Sequence, residues 1–135
     1  MSIATELVTL VHEICRQRVL PAVTWLHLPP EHPRDPHHKK FGALLQADGS
    51  CGFFFTRLDG MLGHIRTHID IDTVIGTPVL ELAAGYASGD PLQRSLGLGA
   101  LNAISQHLFT SDRSCLAYGS DPLGQMEVAT ADHVG

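Results

Sequence analysis

Asp48-Gly49-Ser50 stands between two apolar runs, residues 41–47 (FGALLQA) and 51–57 (CGFFFTR). Asp-Gly between such runs is a strong local hairpin signal, because Gly49 can take the positive φ that a side chain resists. Two antiparallel strands therefore sit in the middle of the chain. The Phe53-Phe54-Phe55 run predicts a strand covered on both faces, with Phe54 under a helix. Residues 22–28 (AVTWLHL) read as a further short strand, ended by Pro29-Pro30. Residues 29–40 hold four prolines and no aliphatic side chain, which predicts a surface loop.

The helices come before and after this sheet. In residues 3–18, Ile3, Leu7, Leu10, Val11 and Ile14 recur with a helical period and predict one buried face. Ser2 is the expected N-cap and Pro21 lies beyond the stop, with Arg16 and Arg18 in the last turn. Residues 77–88 predict a helix with Thr77 as N-cap, Pro78 at the first position and Gly89 as a left-handed C-cap. Asp90 then caps a second helix, with Pro91 first, Gln93 closing a capping box, and Leu92, Leu96, Ala100, Ala103 and Ile104 inward. The near absence of a linker makes the two an αα-hairpin. Residues 58–76 fit either a third meander strand or a short irregular helix. The fold class is α+β: a three-stranded antiparallel sheet against an antiparallel helix pair plus an N-terminal helix.

Composition narrows function by exclusion. Charged residues are 17%, with 9 basic against 14 acidic, a net charge of −5, and no basic run longer than Lys39-Lys40. That excludes a nucleic-acid backbone reader. No apolar stretch approaches a membrane span, and the N-terminus has no basic region of a secretory signal. The expected setting is cytoplasmic. Cys15, Cys51 and Cys115 are odd in number and widely spaced, which predicts free thiols rather than a disulfide framework.

Nine histidines are the unusual feature. His64 and His68 are four apart: a helix puts both on one face, where they could ligate a divalent metal or be ordinary surface histidines, and a strand holds them about 13 Å apart, too far to share an ion. His32, His37 and His38 share the proline loop with Glu31 and Asp35, a set that could serve a divalent transition metal or simply be solvated. Gly97-Leu98-Gly99 begins like a dinucleotide fingerprint, but Asp90-Pro91 has already opened the helix, so these glycines predict close packing instead. Asn102 and Gln106 share a helix face with Tyr86 nearby, either a hydrogen-bonded flank or a polar patch meeting a ligand or another domain.

The segment TPVLELAAGYASGDPLQRSLGLGALNAISQHL resembles the N-terminal domain of the heavy-metal-chelation family of bacterial and archaeal proteins, which carries a similar "reLa … sxnplersiGlAAiNAl" run. FGALLQADGSCGFFFTRL resembles that family's strand–turn–strand. The resemblance covers roughly residues 40–108 and is most specific from Pro91 to Ala103, including Ser95, Gly97, Ala100, Asn102 and Ala103; Gly99 stands where the family usually has Ala. It implies an enolase-N-terminal-like fold for residues 1–125. Residues 126–135 would be a linker or the start of a Rossmann-like C-terminal domain, with a ligand site at the interdomain cleft and Asn102 as the cofactor-binding residue. The alternatives are the non-catalytic half of an enzyme acting at that cleft and a stand-alone, homo-oligomerising interaction domain.

Overall fold

The computed structural model describes residues 2–29, 41–56 and 61–111. The elements run α1 (Ile3–Cys15), β1 (Val23–His27), β2 (Phe41–Gln46), β3 (Cys51–Phe55), α2 (Met61–His68), α3 (Ile71–Gly76), α4 (Val79–Ala84), a 3₁₀ turn (Gly85–Ala87) and α5 (Pro91–Ser111). This is an α+β arrangement.

The sheet is an antiparallel meander in the order β1-β2-β3. Gly42 faces Phe54 and Leu44 faces Gly52 across the β2–β3 pair, the register of a three-residue loop, Ala47-Asp48-Gly49, in which the Gly49 N–H donates to the Gln46 carbonyl at 3.0 Å. Gly49 has φ +89°, the left-handed backbone expected of it. Leu26, Leu44 and Phe54 point to the helical side and are buried. Trp25, Phe41 and Phe53 lie on the other side and remain 52%, 54% and 59% exposed. The Phe run is therefore covered on one face only, because α5 packs on β3 and β2 from the side of Phe54.

Helix α5 lies across β3 and β2, and α4 folds back on α5 as the predicted αα-hairpin. Leu92, Leu96, Ala100, Ala103 and Ile104 are buried as expected. The glycines set the spacing. A methyl added at Gly52 would stand 1.9 Å from the Gly99 carbonyl oxygen and 2.4 Å from the Ala103 nitrogen. One added at Gly97 would stand 2.3 Å from the Tyr86 nitrogen. The Gly-rich stretch is thus a contact between backbones, in mid-helix.

Residues 61–76 resolve the strand-or-helix ambiguity in favour of helix, as α2 and α3. Asp70 caps α3, its carboxylate accepting from the Asp72 amide at 3.1 Å and from the Thr73 hydroxyl at 3.0 Å. Arg66 of α2 donates to the carbonyls of Pro29 and Leu28, tying α2 to the end of β1.

Several local expectations need correction. α1 ends at Cys15 with Arg16 as C-cap, three residues early. Its core-facing residues are Val11 and Cys15, while Ile3, Leu7, Leu10 and Ile14 are exposed. The apolar residues of α1 recur with a helical period, but the domain meets the neighbouring stripe. Thr77 is not the N-cap of α4; its hydroxyl donates back to the Thr73 carbonyl at 2.7 Å and so closes α3, leaving Pro78 as N-cap. Gly89 does not adopt positive φ, because the 3₁₀ turn already ends α4. Asp90 does cap α5 through the Leu92 amide at 3.2 Å, but its own N–H is taken by Ser88 Oγ, so Gln93 closes no capping box.

Candidate functional site

Three polar side chains of α5 meet the hairpin where the helix passes β3 and the β2–β3 turn. β3 is an edge strand, so alternate backbone groups lack a strand partner. Helix α5 supplies the partners. Asn102 Nδ2 donates to the Phe53 carbonyl at 2.9 Å, and Gln106 Oε1 accepts from the Cys51 N–H. The four-residue spacing of Asn102 and Gln106 matches the two-residue step from Cys51 to Phe53 closely enough for one helix face to cap one strand edge.

One residue further along α5, His107 reaches the turn itself. Its Nδ1 lies 2.6 Å from Asp48 Oδ2. The Asp48 carboxylate also accepts from the Ser50 amide and the Ser50 hydroxyl, each at 2.9 Å. Burial pushes the Asp48 carboxyl up, but hydrogen bonds from His107 and from Ser50 outweigh it and hold the group below the usual carboxylate range. An ionised carboxylate only accepts, so Nδ1 must be the donor. In the neutral ring Nε2 is then the lone-pair nitrogen.

That tautomer decides what the cluster can do. Ser111 Oγ approaches the same Nδ1 at 3.5 Å, not Nε2. A catalytic serine needs the nitrogen opposite the carboxylate, so Asp48, His107 and Ser111 do not form a nucleophilic triad. A carboxylate behind Nδ1 is instead the arrangement that orients a metal-ligating imidazole. A metal site needs further donors, and among the described residues no three His, Cys, Asp or Glu stand together as a ligand set. These residues therefore do not by themselves fit a chelated ion.

The predicted site residues are placed as follows. Asn102 lies on α5 with its amide nitrogen engaged at β3. His64 and His68 both fall on α2. His32, His37, His38, Glu31, Asp35 and Cys115 lie outside the described residues. Cys15 and Cys51 are free thiols, and burial raises the pKa of both, at Cys15 against the opposing pull of Arg18. Asp48 and His107 were not singled out from the sequence. The signal available was that His107 adjoins the Asn102–Gln106 face, but its partner is 59 positions away. A separate cavity of about 420 Å³ opens between residues 18–23 and 75–80. It is mostly apolar, with Arg18 in its lining.

The fold and this seam define an α+β domain whose helical layer is stitched to a hairpin by an Asp–His pair and two side-chain amides. Residues 41–105, from β2 through most of α5, match the family model described as "Putative heavy-metal chelation". The resemblance read from the sequence holds over that segment. No curated protein and no solved structure matches the chain.

Proposed function

We propose that residues 1–125 form the smaller domain of a cytoplasmic heavy-metal- or small-ligand-binding protein and supply one wall of a cleft against a Rossmann-like domain. The match over residues 41–105 carries this reading. It spans the hairpin and α5 as far as Ser105, so Asp48 and Asn102 fall inside it and Gln106 and His107 lie just beyond it. The seam is the part of that wall best prepared for a cation: Asp48 fixes the His107 ring and leaves Nε2 for coordination. Asn102 offers its amide oxygen beside the same strand edge. The remaining donors come from the facing domain.

Isothermal titration of the chain joined to its Rossmann-like domain, with Ni²⁺, Co²⁺, Zn²⁺ and molybdate, tests the proposal. Stoichiometric uptake of at least one ion is expected. Asp48→Asn should weaken it about 10- to 100-fold, the usual effect of losing the carboxylate behind a ligating histidine. No heat above background with any of the four removes the chelation reading. Uptake indifferent to Asp48→Asn and His107→Ala removes the seam from the site.

A further inference from the structure

Two connecting segments, residues 16–22 between α1 and β1 and residues 77–78 between α3 and α4, bound the cavity of about 420 Å³. That volume falls in the range of about 300–1,000 Å³ usual for small-molecule pockets. Val23 and Val79 line it and are buried, and Leu20, Ile75 and Leu80 add half-buried apolar side chains. Several polar groups of the wall are already engaged. The Pro21 carbonyl accepts from Gln46 Nε2 at 3.0 Å and the Ala22 carbonyl from the Ala47 amide at 2.8 Å. The Thr77 amide and hydroxyl donate to the Val74 and Thr73 carbonyls. Among the described lining residues Arg18 is the single ionisable one, and no acidic side chain joins it. Its charge reaches inward far enough to oppose the effect of burial on the Cys15 thiol.

We infer that this cavity binds a small monocarboxylate with an apolar body, the carboxylate on the Arg18 guanidinium and the body along Val23 and Val79. Arg18 has an interaction within the protein. A guanidinium presents several donors in a planar fork, so a carboxylate adds to one edge of it while another edge is engaged. One positive charge matches one negative charge. A phosphate monoester would bring a second negative charge against apolar side chains with no further cation to meet it. Gly76 keeps the space open, since a methyl added there meets nothing within 4 Å. The cavity shares no residue with the Asp48–His107 seam, so this inference stands or falls apart from the chelation reading.

A ¹H–¹⁵N NMR titration of the 135-residue chain with hexanoate, run beside 1-hexanol and hexylamine, tests it. Saturable shifts centred on the amides of residues 18–23 and 75–80 are expected with hexanoate, at a Kd of about 1 mM that rises with salt. The alcohol and the amine should bind at least about tenfold more weakly, for want of the charge-assisted hydrogen bonds. Arg18→Gln should weaken hexanoate about tenfold and bring it level with hexanol. Gly76 lacks a positive φ, so Gly76→Leu fills the space without backbone strain. It should block hexanoate while leaving the thermal unfolding midpoint unchanged or higher. Absence of saturable shifts with hexanoate overturns the inference. Hexanol that binds as tightly as hexanoate overturns the carboxylate assignment. Hexanoate binding that keeps its full strength in Arg18→Gln or in Gly76→Leu overturns the site.

Discussion

Gly52 shows how much one missing methyl can decide. The strand at Gly52 and the helix at Gly99 meet backbone to backbone, with no flexible side chain to move aside. Gly52→Ala should cost about 3 kcal/mol or more in urea unfolding, at or beyond the upper end of ordinary overpacking, since neither backbone can yield without moving a whole element. Gly89→Ala is the control. Nothing lies within 4 Å of a methyl there and its φ is ordinary, so the change should be neutral or stabilise by about 0.5 kcal/mol. At Asp48 the prediction concerns pH. Its carboxyl ionises below the ordinary range, so its contribution to stability is complete above the unfolded-state pKa and is lost as pH falls through the folded-state value. Asp48→Asn should lower stability at neutral pH and flatten the acid limb of a stability–pH curve followed by circular dichroism.

At the scale of elements, the Asn102 and Gln106 side chains act as a substitute strand for the β3 edge. Asn102→Ala leaves the Phe53 carbonyl without its donor, and Gln106→Ala leaves the Cys51 N–H without its acceptor. Each should cost about 1 kcal/mol, and the pair should raise the aggregation rate in a light-scattering assay, because an open edge pairs with another chain. The elements also show where sequence reading works. The Gly49 turn, the strand at Val23–His27 and the Asp90-Pro91 helix start were legible because each is fixed by residues a few positions apart. The face of α1 was not legible. Two apolar stripes overlap on it, and periodicity alone does not say which meets the core. Thr77 misled for a related reason: its hydroxyl suited both the end of α3 and the start of α4, and the first won. The Asp48–His107 pair lay beyond any local pattern, because only the docking of α5 on β3 brings the two together.

For the whole molecule, the absence of charge on the sheet matters most. β1, β2 and β3 contain no Asp, Glu, Lys or Arg, and their uncovered side carries Trp25, Phe41 and Phe53. At roughly 200 Å² per aromatic side chain, three half-exposed rings leave about 300 Å² of ring surface in water. Phe53→Thr should change unfolding stability by less than about 0.5 kcal/mol, as for other surface positions, while lowering the binding of an apolar dye. Among the described residues no helix is long and apolar enough to cross a membrane.

The stitching of Cys51 to Gln106 links residues 55 positions apart. A ribosome working at about 5–20 residues per second finishes β3 some 3–10 seconds before it delivers the amide that shields it. Through that interval the nascent hairpin has the turn to shape it but no guard on its rim, and the period of greatest hazard for this polypeptide falls within its own translation.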